Sequence, residues 1–200
     1  MDKQTPKNLI LLCGELLNDG TDCLCINGEE YVQFSIKINL TTGVDILPVW
    51  IKKARLDETV KKGSVLSLTG RLLSEEKFEN GESRLSLAVL AEEIYDGETE
   101  ITSGIFLTGS VLQTPHVYTL QNSLRAEWRL SVETEGGGVL VVPMVANAEN
   151  ANIAAQLSLG DTLSLLGQLH SYQWMDFSGE VSAYTAYEVE VLTYISLPEL

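Results

Sequence analysis

Basic residues are scarce in this 200-residue chain. Lys and Arg number 13 against 28 Asp and Glu, which gives a formal net charge of −15 at pH 7. That balance disfavours partners held by bulk electrostatics, such as duplex DNA and anionic membranes. The longest apolar run near the amino terminus, Leu9–Cys13, is too short for a signal peptide or a membrane span. We therefore expect a soluble, cytoplasmic protein with no membrane partner.

Cysteine and histidine are also rare. The three cysteines, Cys13, Cys23 and Cys25, are an odd number without a second pair to complete a zinc site, which argues against a disulfide framework. The two histidines, His116 and His170, lie far from them in sequence. No glycine-rich phosphate loop and no obvious Ser/His/Asp arrangement is present. The sequence therefore predicts a protein that is not an enzyme and has no catalytic residue, cofactor or metal.

An internal repeat organises the chain. The block Gly63–Leu72 is echoed by Gly160–Leu169, and Leu12–Leu17 is echoed by Leu107–Leu112. The offset between matching positions stays between 94 and 98 residues over the whole unit. Hydrophobic residues make up 44% of the chain, which is enough for a core in each half. Two homologous domains are expected, at residues 6–96 and 103–196.

Each repeat has the pattern of β-strands. Apolar residues alternate with polar ones in Tyr31–Ile38, Ser64–Leu68 and Arg84–Val89, the two-residue period that puts one face on a core. Asn-Gly pairs, favoured in tight hairpins, are present at Asn27-Gly28 and Asn80-Gly81. Strand is therefore expected to dominate both halves.

Helix is predicted at only one place in each repeat, over Lys53–Lys61 and over Asn150–Leu157, and each segment ends shortly before a glycine. Five strands with one short helix between the third and the fourth is the order of an OB-fold, a five-stranded Greek-key barrel. The predicted fold class is therefore all-β, with two tandem OB-folds.

The first repeat resembles the bacterial single-stranded DNA-binding protein family. The resemblance is carried by Pro48–Lys52, Lys62–Val65 and Gly70–Leu72, with Phe78 and Asn80-Gly81 beyond them. The second repeat resembles the same family independently, through Gly167–Leu169 and the run Trp174-x-Asp176-x-Ser178-Gly179. Together the motifs cover nearly the whole chain.

The resemblance implies a binding site for single strands, which are held by aromatic faces that stack on bases and by basic side chains that follow the phosphates. The stacking positions of the family fall on Trp50 and Phe78 in the first repeat and on Trp174 in the second, where Val145 stands in place of Trp50. The candidate basic residues are Lys37, Lys52, Lys53, Arg71, Lys77 and Arg84. Residues 101–200 contain only Arg125 and Arg129 as basic residues, so binding is expected mainly in the first repeat.

Other interpretations of these aromatic residues stay open. Trp50 at a strand end could be core packing, and the exposed pair Tyr172 and Trp174 could serve a protein interface as well as a base. Trp128, which replaces Phe34 in the second repeat, is expected in the core.

Two functions are therefore carried forward. The first is single-stranded DNA binding in replication, recombination or repair, by a homodimer with four OB-folds in total, as the resemblance implies, with replication proteins as possible partners. The alternative is an OB-fold scaffold in replication or a mobile element that binds protein without significant nucleic-acid binding. The chain ends at Leu200 without the acidic tail typical of the family. In this it is more similar to the primosomal B proteins, which argues against the recruitment of partners through such a tail.

Overall fold

The computed structural model describes residues 7–21, 23–40, 43–58, 60–79, 82–97, 103–134, 137–174 and 184–198, of which 75–79, 82–84, 174 and 184 are described in the backbone alone. These residues form eleven strands, one α-helix and one 3-10 turn. The strands are β1 (Asn8–Leu16), β2 (Cys23–Ile26), β3 (Glu29–Leu40), β4 (Gly43–Lys52), β5 (Val65–Glu79), β6 (Glu82–Asp96), β7 (Gly104–Leu120), β8 (Ser123–Glu133), β9 (Val139–Asn147), β10 (Thr162–Trp174) and β11 (Tyr184–Ser196). The 3-10 turn is Lys53–Arg55, and the helix α1 is Ala148–Ala154.

The chain divides into two compact units. The amino-terminal unit contains the described residues of Ile10–Ser103 and of His170–Ala186. The carboxy-terminal unit contains those of Gly104–Leu169, together with the described residues before 10 and after 186. Strand β10 therefore begins in the carboxy-terminal unit and ends in the amino-terminal one. The domain bounds 6–96 and 103–196 stay a prediction.

The amino-terminal unit is built on a closed ring of five strands. Strand β1 pairs with β3 and β5, β5 pairs with β6, and β4 closes the ring between β6 and β3. All of these pairs are antiparallel except β4 with β6. The additional strand β2, which the sequence did not predict, forms a hairpin with β3. The predicted Asn27-Gly28 turn of this hairpin is confirmed, since both residues have positive φ.

The carboxy-terminal unit repeats the ring. Strand β7 pairs with β8 and β10, β8 pairs with β9, and β11 lies between β9 and β10. The pair β9 with β11 is again parallel. Both rings have the strand order and the single parallel pair of a five-stranded Greek-key barrel, so the predicted all-β fold of two tandem OB-folds is confirmed. In the part of the chain that the structure describes, no helix is long and apolar enough to cross a membrane.

Alternating side chains fill the interior of each barrel. In the amino-terminal unit Phe34 and Ile36 of β3 are fully buried, with Val49 and Ile51 of β4. Trp128 of β8 is buried as well, and its neighbour in register is Met144, just as that of Phe34 is Val49. Its predicted core position is confirmed. Burial of such a side chain contributes about 1.5–3 kcal/mol, so packing dominates the stability of each unit.

The two predicted helices differ from those observed. Among the described residues between β4 and β5, only the 3-10 turn Lys53–Arg55 forms in place of the predicted helix over 53–61, and Leu56 is already extended. Lys52, which precedes the turn, provides no side-chain cap, and β-branched Val60 lowers the helix propensity of the residues after the turn. In the alanine-rich second segment, α1 begins two residues before the predicted start.

The repeated glycines mark close crossings of strands. A Cβ at Gly70 of β5 would overlap the carbonyl oxygen of Leu90 on β6. A Cβ at Gly167, its counterpart on β10, would lie 2.6 Å from the carbonyl oxygen of Glu190. Such a distance is too short for a real side chain, and β5 shows a register shift at this point. The repeat in the sequence therefore follows from the same close approach in each barrel.

Candidate nucleic-acid interface

Trp50 lies on the outer face of the amino-terminal barrel. Its neighbours on β4, Val49 and Ile51, point into the core, whereas Trp50 alternates with them and is partly exposed. Its partners in register are Gln33 on β3 and Leu90 on β6. Trp50 therefore lies outside the barrel interior and is in part accessible to solvent.

Arg71 lies in the same row across the sheet, which consists of the register partners Gln33, Trp50, Leu90 and Arg71. It stands opposite Leu90 in the β5–β6 pairing, so Leu90 separates it from Trp50. The Arg71 Nε lies 3.7 Å from Glu92 Oε1, and about a third of the side chain is exposed. The structure thus brings the predicted aromatic and one predicted basic residue to one face, although the guanidinium already faces a carboxylate.

The two predicted lysines after Trp50 also form ion pairs. Lys52 Nζ lies 2.8 Å from Glu29 Oε1, and Lys53 Nζ lies 2.9 Å from Glu30 Oε2. The hydrogen bond and the charge of Glu30 raise the pKa of Lys53 above its ordinary value. Exposed pairs of this kind add little stability. They do lower the positive potential that a phosphate would meet.

Lys37 is different from these residues. It lies on β3 opposite Ile46 of β4, is partly exposed, and has no ion-pair partner among the described residues. Among the predicted basic residues whose side chains are described, Lys37 is therefore the one that a ligand could approach without first displacing a described carboxylate.

The remaining predicted residues lie outside the described side chains. Lys77, Phe78 and Arg84 belong to the far end of the β5–β6 hairpin, where Lys77 stands opposite Arg84 in register. Trp174 is the last residue of β10. The roles of all four stay predictions.

Val145 occupies the position of Trp50 in the carboxy-terminal barrel. Its partners in register are Glu127 on β8 and Glu190 on β11, and only 1% of its surface is exposed. The expected equivalence of Val145 with Trp50 therefore holds in the strand register. On this face of the carboxy-terminal barrel, a buried aliphatic side chain lies between two acidic residues. On the same face of the amino-terminal barrel, Trp50 lies between Gln33 and Leu90.

Arg125 pairs with two carboxylates at this face of the carboxy-terminal barrel. Arg125 Nε donates to Glu127 Oε1 at 2.8 Å, and Arg125 Nη2 donates to both carboxylate oxygens of Glu188 at 2.9 and 3.1 Å. Burial raises the pKa of Glu127, but hydrogen bonds from Tyr118 and Arg125 outweigh it, and the pKa lies below its ordinary value. One arginine thus faces two carboxylates, so its positive charge is already compensated.

Two crystal structures of one bacterial protein share this fold. The wild-type single-stranded DNA-binding protein of Thermus aquaticus matches with a TM-score of 0.74 and 21% identity, over 96% of this chain and 93% of that chain. A deletion variant of that protein matches with a TM-score of 0.73 and 21% identity, over 96% and 94%. The chain has the fold of a bacterial single-stranded DNA-binding protein.

The other comparisons are weaker. The dimeric amino-terminal domain of PriB from Thermoanaerobacter tencongensis covers 47% of this chain at 24% identity, and its TM-score of 0.38 is too low to support a conclusion. No protein-family model matches the chain, and no curated protein is significantly similar to it.

A cluster that the sequence analysis missed lies beside the site. Asp45 of β4 is only 4% exposed, and His170 Nδ1 lies 3.0 Å from its Oδ2. The backbone N–H and the hydroxyl of Ser171 donate to its Oδ1 at 2.6 and 3.0 Å. The sequence, in which no Ser/His/Asp arrangement is obvious, did not predict this cluster. The one signal in the sequence was an aspartate at an inward position of an alternating strand.

This cluster does not have the geometry of a catalytic triad. In a catalytic triad the serine hydroxyl is hydrogen-bonded to one imidazole nitrogen of the histidine, which activates the hydroxyl. The aspartate accepts a hydrogen bond from the other imidazole nitrogen. Here Ser171 Oγ donates to Asp45 and accepts from the backbone N–H of Ile46. A serine held in this way is not activated by His170.

No three His, Cys, Asp or Glu side chains within the described ranges are grouped so as to hold a metal ion. Cys13, Cys23 and Cys25 are free thiols, and the last two are exposed on β2.

Proposed function

We propose that this protein binds single-stranded DNA, mainly through the outer face of its amino-terminal barrel, and that it is a binding protein rather than an enzyme. The observation that carries the proposal is that Trp50 is partly exposed on the outer face of the barrel, where Leu90 separates it from Arg71 in register. An aromatic face on a barrel strand with a cation nearby is the arrangement on which single strands stack. The fold shared with the Thermus aquaticus protein supports it.

Binding is expected to be of modest strength. Lys52, Lys53 and Arg71 each face a carboxylate, so a phosphate must compete with an existing partner. Lys37 can contribute directly. Because each phosphate contact adds about −0.7 to the slope of log affinity against log salt for single strands, few contacts give a shallow slope.

The deciding experiment is a fluorescence titration of the full chain with oligo-dT at low and at high salt. Saturable binding that weakens moderately with salt is expected. An absence of binding at low salt would contradict the proposal and would favour a scaffold that binds protein.

We further propose that the two barrels contribute unequally to the affinity for single-stranded DNA. The equivalent row of the carboxy-terminal barrel combines Val145 with Glu127 and Glu190, and Arg125 nearby is occupied by two carboxylates. That surface is unfavourable for phosphate and has no aromatic face at the matched position. The carboxy-terminal barrel is therefore expected to contribute little to affinity.

We also propose that two chains assemble into a cytoplasmic homodimer with four OB-folds, active in replication, recombination or repair, with replication proteins as possible partners. The support is the resemblance in sequence, because members of that family commonly place four such barrels on one strand. Light scattering should return about twice the chain mass of 21.9 kDa. A mass near that of one chain at all concentrations would contradict the assembly and leave DNA binding untouched.

A further inference from the structure

Asp45 is a buried carboxylate on a strand that otherwise alternates apolar residues inward. A buried charge is destabilising unless it is paired and hydrogen-bonded. Within the described chain, the hydrogen-bond donors to the Asp45 side chain come from His170 and Ser171, 125 and 126 residues further along. The stability of this carboxylate therefore depends on the end of β10 lying against β4.

The contact is reciprocal. Ser171 Oγ donates to Asp45 and also accepts from the backbone N–H of Ile46 at 3.0 Å. Four hydrogen bonds thus connect two consecutive residues of β4 with two consecutive residues of β10. We call this set, Asp45 and Ile46 with His170 and Ser171, the clasp. Such a set fixes the position of β10 along β4 and its distance from it.

The clasp brings exposed side chains next to the candidate interface. Ile46 is 46% exposed and lies on the same outer face of β4 as Trp50, because the two are an even number of residues apart. Four residues of strand span about 13 Å. Lys37 stands opposite Ile46 in register, and Tyr172, 40% exposed, directly follows the clasp. Lys37 therefore lies beside Ile46, on the amino-terminal side of Trp50 along β4, and Tyr172 directly follows the serine that is hydrogen-bonded to Ile46.

We infer that Asp45 is a positioning residue that, through His170 and Ser171, holds Tyr172 against the amino-terminal barrel, so that the Trp50 surface continues past Ile46 as a longer path for single-stranded DNA. This inference depends on the proposed function. The ligand is single-stranded DNA because the added surface again combines an exposed aromatic residue, Tyr172, with a cation, Lys37, that has no described carboxylate to displace.

The path length gives the inference a measurable signature. The site size of one OB-fold ranges from about 4 to about 16 nucleotides, so dT oligomers of about these two lengths are compared. The short oligomer should occupy the Trp50 region alone, whereas the long one should also reach Tyr172. The ratio of the two affinities therefore reports on the added part of the path.

The test compares the full chain with Asp45→Asn, Tyr172→Ala and the double variant. The neutral amide that replaces the Asp45 carboxylate has one acceptor oxygen, so it cannot accept charge-assisted hydrogen bonds from all three donors. Each single variant should lower the affinity for the long oligomer about 5-fold or more, the effect of losing one stacked base, and leave the short oligomer nearly unchanged. The double variant should be no weaker than the weaker single variant, because Asp45 acts through Tyr172.

Asp161→Asn is the matched control. The Asp161 carboxylate accepts the backbone N–H of Ser158 in a turn of the carboxy-terminal unit, so the same chemical change is made away from the clasp. The affinity ratio should stay at the wild-type value. If Asp45→Asn does not fold, Ser171→Ala, which removes one hydroxyl and keeps the backbone donor, replaces it with a smaller loss in the same direction.

The outcomes separate the inference from the proposed function. A wild-type chain that binds neither oligomer contradicts single-stranded DNA binding itself. Wild-type binding with equal losses for both oligomers in Asp45→Asn, with no loss at all, or with additive losses in the double variant overturns the clasp and leaves the proposed function standing. A purely structural role of Asp45 would give additive losses at both lengths.

Discussion

Trp50 and Val145 occupy the same position in the two barrels. Trp50 stands between Gln33 and Leu90 in register, and Val145 stands between Glu127 and Glu190. The two halves thus share the backbone of the repeat, while the side chains differ. One barrel has an aromatic ring between neutral neighbours, and the other has a buried aliphatic residue between carboxylates.

The first prediction concerns the two tryptophans. Trp50→Ala should weaken oligo-dT binding by about 1–3 kcal/mol, the cost of losing one stacked base. Trp174→Ala should cost less, because the sequence repeat to which Trp174 belongs has Val145 in place of Trp50 and contains no lysine. Calorimetric titration should be used because both variants remove a fluorophore. Equal losses from the two variants would contradict the asymmetry.

The second prediction concerns the ion pairs beside Trp50. Glu29→Gln should free Lys52 from its partner at 2.8 Å and thereby raise the affinity for oligo-dT. The slope of log affinity against log salt should become steeper by about 0.7, the value for one added phosphate contact. Titrations at several salt concentrations measure both quantities.

The control for this experiment is Glu133→Gln. Glu133 pairs with Lys7 in the carboxy-terminal unit, where both side chains are largely exposed. Removing that carboxylate changes the net charge by the same amount but frees no lysine next to Trp50. If both variants steepen the salt dependence equally, the effect is one of net charge, and the local ion pair does not limit binding.

The third prediction concerns pH and the Arg125 cluster. The pKa of Glu127 is lowered in the folded state, where hydrogen bonds from Tyr118 and Arg125 outweigh burial. A carboxyl with a depressed pKa contributes stability above its unfolded pKa, and this contribution is lost as the pH falls through the folded value. The stability of the wild-type carboxy-terminal unit should therefore decrease on acidification below about pH 4.5, the ordinary pKa of a glutamate.

Arg125→Met should reverse this dependence on pH. It leaves Glu127 and Glu188 close together without their cation, at a cost of about 2 kcal/mol near pH 7. Protonation of either carboxyl relieves the repulsion, so the loss relative to wild type should shrink at acid pH. Denaturant unfolding at several pH values measures this, with Arg129→Met on the exposed face of β8 as the control. A loss that grows on acidification would contradict the prediction.

The fourth prediction concerns the strand crossing at Gly70. Gly70→Ala should destabilise the amino-terminal unit by about 1–3 kcal/mol, because the added Cβ forces the Leu90 carbonyl away. Gly63→Ala is the comparison. Gly63 has a φ of +85° but open space around its Cβ position, so only the cost of a left-handed conformation, about 1 kcal/mol, applies. Chemical denaturation measures the free energy of unfolding of both variants. A larger loss of stability in Gly63→Ala than in Gly70→Ala would contradict the steric explanation.

Local patterns in the amino-acid sequence were enough to predict the repeat, the strands and the fold class. Alternation in Tyr31–Ile38 predicted β3, the Asn27-Gly28 pair predicted its hairpin turn, and Trp128 was expected in the core where it is found. These features depend on neighbouring residues or on a matching position in the repeat. They are therefore encoded locally, in the alternation of apolar and polar residues along a strand and in glycines at positions where a turn or a close strand crossing requires them.

The pairing of charges, by contrast, depends on the folded chain. Lys52 was a candidate for phosphate, but the β2–β3 hairpin brings Glu29 to its ammonium group. Nothing in the residues around Asp45 indicates that β10 places His170 and Ser171 on it from 125 and 126 residues away. Ion pairs and buried hydrogen bonds depend on register and on the meeting of distant segments. No pattern within one segment contains that information, because the free energy of a buried charge is set by the partner that reaches it.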